Sequence, residues 1–440
     1  MSWALLGVGV VAAAAVFNAY IPARLRWLIV PGFFAAWLTI ELALHLLIGG
    51  AALVTWLALA GGLSDWRGGL GLGLCVVAGG GLVGLYLRSR GGAAALTEFY
   101  REAGIEAVGE VPRFPRSHIA IPWLTFHRRD VEVRRGVPFC EVAGQTLCLD
   151  VYSPRAPGRR RPAIVQVHGG AWFLGFKEYQ GIPLLTHLAR HGWVGFNVDY
   201  RLSPKATFPA HLIDVKRAIA WVREHADEYG VDPDFIVVTG GSAGGHLAAL
   251  VGLTAGDPEY QPGFEAADTS VRAAVVFYGV LDLKNRKYRG LLERVVLKVR
   301  YAEHPELFLR ASPIDRVHAG APPFLVIHGS RDTLCAVEDA RRFVAALRGV
   351  SHAPVRYLEM KGAEHAFDIF ASVRTVPVIE AVERFLAAQH RDYLASMAAS
   401  TAASVVESTV ADAVANAGTN AVAAETAGAF AAGSAQAPAT

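Results

Sequence analysis

A serine framed by glycines is the feature of this sequence that points most directly to chemistry. Ser242 lies in the run GGSAGG that begins at Gly240, after the apolar segment Phe235–Thr239 and before an Ala- and Leu-rich helical segment. A G-x-S-x-G pattern between a strand and a helix predicts a sharp turn that exposes a nucleophilic hydroxyl. The glycines leave room for this turn, and the N-terminus of the following helix faces the negative charge that develops during attack.

A second glycine-rich loop, HGGAW from His168 to Trp172, follows an apolar strand candidate. Acyl transfer passes through a tetrahedral intermediate whose oxyanion needs N–H donors at close range. Glycine residues let the backbone approach that closely. We therefore predict donors from the N–H groups of Gly169 and Gly170, with the N–H group of Ala243 completing the oxyanion hole.

A serine nucleophile needs a base to take its proton, and the base needs an acid to orient it. Asp332 closes the strand candidate Phe324–His328 and is the favoured acid, because site residues gather at strand ends in open α/β sheets. Asp282, at the end of the preceding strand, and Asp339, inside a helix, are the alternatives.

His365 is the favoured base because it lies in a loop between the last strand and the last amphipathic helix. The order serine, acid, histidine along the chain places a catalytic histidine there. His352 precedes the strand and is expected at the opposite sheet edge. His246 is expected to pack locally on the nucleophile helix, and His168 to brace the glycine loop.

The elements around these residues alternate between short apolar strands and amphipathic helices over residues 127–395, which predicts an α/β domain with a mostly parallel sheet. The predicted strands are Thr146–Tyr152, Ala163–Val167, Val194–Val198, Phe235–Thr239, Ala273–Phe277, Phe324–His328 and Val355–Leu358. The predicted helices are Ile182–Arg190, Ala210–Tyr229, Ala243–Leu253, Val337–Leu347 and Val376–Ala387.

Residues 1–90 have a different character, because three long apolar runs dominate them. Runs of about 18 or more apolar residues are long enough to cross a bilayer. We predict three transmembrane helices, or four if the middle run, Trp27–Leu63, folds back near Gly49 and Gly50. Glu41 and His45 interrupt this run on one helix face, and we interpret them as a polar pair within the bundle or near the membrane interface.

The positive charges that flank the apolar runs indicate on which side of the membrane the catalytic domain lies. Arg24 and Arg26 form one basic cluster and Arg88, Arg90 and Arg101 another, so the positive-inside rule places both in the cytoplasm if two spans separate them. This favours a multi-pass membrane protein with a cytoplasmic catalytic domain. Residues 91–126 are predicted to be a linker, and the Ala-rich residues 396–440 a disordered tail or a frayed helix.

The bulk composition excludes some function classes. Of 440 residues, 18% are charged, and the formal net charge is +3. The sequence has no long basic tract, so no nucleic-acid partner is expected. The four cysteines show no metal spacing, and we expect buried free thiols rather than a disulfide, although Cys140 and Cys148 flank a predicted hairpin.

The motif set HGGAW, VDYRLSP, GGSAGG, HGSRD and EHAF resembles the hormone-sensitive-lipase-like branch of α/β-hydrolase esterases over roughly residues 145–390. The resemblance implies a carboxylic ester hydrolase, an esterase or lipase, without metal or organic cofactor. It implies the same roles for Ser242, Asp332 and His365. Many members carry an acidic residue before the nucleophile, where this sequence has Gly241.

The N-terminal membrane region suggests acyl ester or lipid substrates taken from a membrane. Isoprenylcysteine methylesterase-like enzymes combine a similar loop with such a region, which leaves the substrate open. An amidase or peptidase would use the same triad. A non-catalytic membrane protein that kept the fold is the remaining alternative, and the intact triad argues against it.

Overall fold

The computed structural model describes residues 1–22, 26–104, 115–126, 130–285 and 289–433. Arg24, used above for sidedness, lies outside these ranges. The N-terminal part is helical. Its helices are α1 (Ser2–Tyr20), α2 (Ile29–Glu41), α3 (Ala43–Leu57), α4 (Trp66–Arg90), α5 (Gly92–Ala103) and α6 (Arg116–Ala120).

An eight-stranded sheet forms the centre of the second part. Its strands are β1 (Val131–Val142), β2 (Gln145–Pro154), β3 (Arg161–Val167), β4 (Val194–Val198), β5 (Val231–Gly241), β6 (Ala273–Phe277), β7 (Phe324–Gly329) and β8 (Val355–Met360). The strand order is β1-β2-β4-β3-β5-β6-β7-β8. β2 is antiparallel to β1 and β4, and the other pairings are parallel.

Helices cover both faces of this sheet. They are α7 (Ile182–Arg190), α8 (Ala210–Glu224), α9 (Ala226–Tyr229), α10 (Ala243–Leu253), α11 (Pro305–Arg310), α12 (Val337–Val350) and α13 (Thr375–Gly433). Every residue of β4, β6 and β7 is buried, as expected for apolar parallel strands with a helix layer on each side. This architecture confirms the α/β-hydrolase prediction, and β4, β6, α7 and α10 have the predicted bounds.

The middle apolar run divides where the sequence did not indicate. The helix ends at Glu41 and restarts at Ala43, whereas Gly49 and Gly50 lie inside α3. With 13 residues, α2 is about 20 Å long, too short for a hydrocarbon core of about 30 Å. Within the described ranges, three helices are long and apolar enough to cross a membrane, at Ser2–Tyr20, Ala43–Gly62 and Trp66–Glu102.

These N-terminal helices expose large apolar side chains to an unusual extent. Leu59 is 85% exposed, Val77 71%, Val11 69% and Trp56 59%. A soluble protein rarely presents so much contiguous apolar surface, whereas a lipid environment would cover it. The helices and the hydrolase domain nevertheless belong to one compact unit, Met1–Leu386.

The C-terminal segment continues as helix α13 to Gly433, one of the two forms expected of this Ala-rich tail, since alanine is the strongest helix former. The prediction for the cysteines needs correction. All four cysteines are free as predicted, but only Cys335 is buried. Residues from Ala387 onward form a second compact unit.

Candidate active site

Ser242 occupies a strained turn between β5 and α10. Its φ of 58° and ψ of −119° lie outside the regions that L-residues ordinarily adopt. Its backbone N–H donates to the carbonyl oxygen of Phe277 at 3.0 Å, which ties the turn to the end of β6. A Cβ atom at Gly244 would lie 2.1 Å from the carbonyl oxygen of Val167, so only glycine lets α10 pack this close to β3. The turn has the geometry expected of a nucleophile elbow.

Asp332 lies just beyond β7, and its side chain is completely buried. One carboxylate oxygen, Oδ1, accepts the backbone N–H groups of Leu334 at 2.9 Å and Cys335 at 2.6 Å. The other, Oδ2, lies 2.7 Å from Nδ1 of His365 and 3.2 Å from Nε2 of His328. The structure therefore joins the predicted acid to the predicted base.

The electrostatics of this pair keep the acid ionised. Burial on its own would raise the pKa of Asp332, but His365 and His328 together hold that pKa below its ordinary value. Burial also lowers the pKa of His328, yet the bond to Asp332 outweighs it and the pKa is raised. An ionised carboxylate can fix the tautomer and orientation of the His365 ring.

His365 lies in the loop after β8 and is 3% exposed. Its neighbour Glu364 accepts the backbone N–H of His365 at 2.9 Å and that of Thr333 at 2.7 Å, which ties this loop to the Asp332 loop. Burial raises the pKa of Glu364 to about 7. The loop conformation thus depends on a buried carboxyl group beside the predicted base.

Tyr278 connects the nucleophile side of the site to the histidine side, and sequence reasoning missed it. Its ring centroid lies 4.6 Å from that of His365, and its hydroxyl donates to Asp368. A Cβ atom at Gly241 would lie 2.8 Å from the Tyr278 ring, so this tyrosine fills the space next to the residue that precedes Ser242. The absence of an acidic residue at Gly241 was the only signal in the sequence that could have indicated it.

The glycine loop after β3 departs from prediction at one residue. The N–H group of Gly169 donates to Oε1 of Gln180 at 2.7 Å, so it is engaged elsewhere, which speaks against its role as an oxyanion donor. Gly170 has a φ of 123°, and a Cβ atom there would lie 2.0 Å from the carbonyl oxygen of Leu174. The donor roles of Gly170 and Ala243 stay predictions.

His168 and His246 have the local packing contacts expected of them. His168 stacks on Tyr200 with ring centroids 4.4 Å apart, and burial lowers its pKa to about 4. His246 accepts the indole N–H of Trp172 at 3.2 Å and lies 2.7 Å from the carbonyl oxygen of Ala311. Both residues brace the glycine loop against its neighbours.

The alternative acids have structural contacts as well. Asp282 accepts the backbone N–H groups of Lys284 at 3.0 Å and Asn285 at 3.1 Å, in a turn. Both Asp282 and Asp339 pair with Arg342 at 2.9 Å. Neither contact involves His365, whereas Asp332 binds it directly.

Among the described residues, two groups bring together three atoms of the kind that bind metals. One is Asp332, Cys335 and His365, part of the site itself. In the other, the Glu383 carboxylate binds His187 at 2.7 Å and His191 at 2.8 Å, one oxygen to each ring. Burial opposes ionisation there, but the two histidines hold the pKa of Glu383 at about 2. The His187 contact is a hydrogen bond and the His191 contact an ion pair, so each carboxylate oxygen already faces one imidazole.

Comparison with known proteins agrees with this geometry. The BD-FAE family model matches residues 149–347. Esterase LipQ of Mycobacterium tuberculosis is 48% identical over 267 residues, which cover 59% of this chain and 63% of LipQ. Esterase LipC of the same organism is 47% identical over 273 residues, which cover 60% of this chain and 67% of LipC. The chain belongs to the hormone-sensitive-lipase-like branch of the α/β-hydrolases, with a BD-FAE domain.

Solved structures of this fold include the apo form of Thermogutta terrifontis esterase 2. It matches with a TM-score of 0.51 and 30% identity, over 59% of this chain and 94% of that one. The match to LipQ spans less than two thirds of that relative's length, at 63%.

Proposed function

We propose that this BD-FAE protein is a carboxylic ester hydrolase in which Ser242 is the nucleophile, His365 the general base and Asp332 the acid that orients it. The observation that carries the proposal is the strained backbone of Ser242 at the turn between β5 and α10. Strain of this kind persists where the surrounding structure enforces it and is typical of catalytic nucleophiles. The bond between Asp332 and His365 supports the proposal, and so do the esterase names of the relatives.

The reaction proceeds in two steps. Ser242 Oγ attacks the ester carbonyl while His365 takes its proton, and the N–H groups of Gly170 and Ala243 stabilise the oxyanion. The carbon–oxygen bond to the alcohol then breaks, and His365 returns the proton to the departing alcohol. Water attacks the acyl-enzyme in the same way, which releases the acid and restores Ser242.

The substrate in this proposal is an acyl ester or lipid that the enzyme takes up at a membrane. Exposed apolar side chains on α1, α3 and α4 support membrane insertion. Arg26 precedes the candidate span Ala43–Gly62, and Arg88 and Arg90 lie in the last turn of α4, within the candidate span Trp66–Glu102. Two crossings, by α3 and α4, therefore separate Arg26 from Arg88 and Arg90. On this count both basic clusters lie on one side of the membrane, and we infer from the positive-inside rule that the hydrolase domain is cytoplasmic.

Replacement of the nucleophile tests the activity. Full-length Ser242→Ala in detergent micelles should hydrolyse p-nitrophenyl butyrate at least about 10³-fold more slowly than the wild type. A fluorophosphonate probe should label the wild type and not the variant. The matching p-nitroanilide should react more slowly than the ester with the wild type.

Ser400→Ala is the matched control, because Ser400 is an exposed serine on α13. Its turnover and labelling should equal those of the wild type. Labelling of the Ser242→Ala protein, or preference of the wild type for the anilide, would contradict the proposal.

A further inference from the structure

Helix α2 lies against the loop that carries His365. Three of its residues, spaced four apart, contact that loop: Phe33, Trp37 and Glu41. Residues at i, i+4 and i+8 form one stripe along a helix. The contacts advance along the loop in the same order, so the helix and the loop are matched over two helical turns. Contacts in matching order along both segments indicate that α2 supports the His365 loop and does not serve only to anchor the protein in a membrane.

Trp37 holds the peptide next to the base. Its indole Nε1–H donates to the carbonyl oxygen of Ala366 at 2.8 Å. Ala366 follows His365 and has a φ of 58°, which is strained for a residue with a Cβ atom. The Trp37 ring also packs on Phe370, with centroids 5.1 Å apart. The bond therefore fixes the backbone where the loop turns after His365.

Glu41 holds the far end of the loop. Its carboxylate pairs with the guanidinium of Arg374, and its Oε2 atom accepts the hydroxyl of Ser372 at 3.0 Å. Both side chains of the ion pair are 1% exposed. A carboxylate at a helix C-terminus meets the negative end of the helix dipole, so α2 itself does not favour it. A buried pair adds little net stability but specifies one register between two elements.

Phe33 contacts the base directly. The residue is 7% exposed, and its ring centroid lies 6.0 Å from that of His365, edge to face. With Tyr278 at 4.6 Å, the imidazole has aromatic neighbours from two different parts of the chain. Helix α2 thus supplies part of the wall around His365.

We propose that α2 forms part of the active site. Trp37 and Glu41 of this helix, together with Arg374 of the loop, are positioning residues that fix the His365 loop. The inference rests on the proposed function, since it assigns a role relative to the base. The N-terminal region then supports the position of the base in addition to attaching the protein to a membrane. Loss of these contacts would let His365 move away from its productive position without altering Asp332 or Ser242.

Trp37→Phe tests the central contact, because phenylalanine keeps an aromatic ring but loses the N–H donor together with part of the indole volume. In full-length protein in detergent we expect kcat for p-nitrophenyl butyrate to fall by about tenfold, with KM within about twofold. Labelling by the fluorophosphonate should slow by a similar factor. Trp56→Phe is the matched control, since Trp56 is 59% exposed on α3, and it should behave as the wild type.

Arg374→Met and Arg374→Lys test the ion pair. The methionine variant leaves Glu41 buried without its cation and should lower kcat at least as much as Trp37→Phe does. Lysine retains the charge and should restore most of the lost kcat. If the methionine variant does not fold, the Trp37 pair decides alone.

Wild-type kcat and labelling rate in folded Trp37→Phe would overturn the inference. The proposed function would fail separately if the wild type neither hydrolysed the ester nor reacted with the probe. An active wild type with unchanged Trp37→Phe leaves the hydrolase intact and removes only the role of α2.

Discussion

Asp332, the proposed acid, contacts two imidazoles rather than one. Oδ2 of Asp332 faces both His365 and His328, and Oδ1 is held by two backbone N–H groups. The carboxylate therefore has little freedom to rotate. This arrangement suits an acid that must present the same oxygen to the base throughout the reaction.

Asp332→Asn should therefore replace the acceptor that faces Nδ1 of His365 by a donor. The amide oxygen can keep the two backbone donors, which leaves the NH₂ group facing Nδ1 of His365. The ring would then carry its proton on the wrong nitrogen, and we expect kcat to fall by about 10⁴-fold. Steady-state kinetics with p-nitrophenyl butyrate measure this.

Asp282→Asn is the control for that experiment, because Asp282 is the alternative acid and also accepts two backbone N–H groups. Its kcat should stay within about threefold of the wild type, since its contacts do not involve His365. A large loss in Asp282→Asn together with a small loss in Asp332→Asn would reverse the assignment.

At the scale of elements, the turn between β5 and α10 depends on close approach of helix and sheet. Gly244→Ala places a Cβ atom 2.1 Å from the carbonyl oxygen of Val167 and 2.6 Å from that of His168. Backbone atoms cannot yield as side chains do, so α10 must shift. We expect destabilisation by about 1–3 kcal/mol and loss of most activity, measured by thermal melting and ester turnover.

Gly349→Ala provides the matched comparison, because Gly349 is also a helical glycine and no atom lies within 4 Å of its added Cβ. Alanine there should stabilise α12 by up to about 1 kcal/mol without changing turnover. Equal behaviour of the two variants would show that the close packing of α10 is unimportant.

Elements with local signals could be predicted from the sequence. The bounds of β4, β6, α7 and α10 follow from apolar runs between turn residues, and Asp332 and His365 follow from strand order. The N-terminal contacts could not be predicted, because pairing of Glu41 with Arg374 joins residues 333 positions apart. A polar residue in an apolar run indicates a special environment without naming its partner. Gln180 was missed for a similar reason, since its bond to Gly169 depends on loop geometry.

At the scale of the whole molecule, the N-terminal helices and the hydrolase domain pack as one unit. The end of α1 takes part too, because the carbonyl oxygen of Tyr20 accepts a hydrogen bond from Arg331, the residue before Asp332. A cation at a helix C-terminus is favourable. Both loops of the acid–base pair therefore contact helices of the N-terminal region.

The stability of this unit should depend on pH through buried carboxyl groups. Burial raises the pKa of Glu364 from 4.5 to about 7. The folded state then retains a proton that the unfolded state releases, so unfolding becomes easier as pH rises from about 4.5 to 7. Glu364→Gln should remove this loss, on the order of 2–3 kcal/mol at pH 8, while its amide oxygen can still accept the N–H groups. Melting temperatures in detergent from pH 5 to 8 measure the difference.

Glu359→Gln should behave in the opposite way. The hydrogen bond from Arg341 lowers the pKa of Glu359, so its contribution is present above the unfolded pKa and is lost as pH falls. The variant should therefore be less stable than the wild type at pH 8. If the difference in melting temperature between Glu364→Gln and the wild type did not change from pH 5 to 8, the role assigned to the buried carboxyl group would be wrong.

Strand β8 is the outermost parallel strand, and α5 packs against it. Arg356 donates to the carbonyl oxygen of Glu102 at the end of that helix, at 2.9 Å. At the opposite border, β1 is interrupted by two register shifts and contains Pro138. Neither border therefore offers a long row of open amide groups to which a neighbouring molecule could add a strand. A fragment cut to begin after α5 would lose that protection along β8, and self-association through the bared strand would follow.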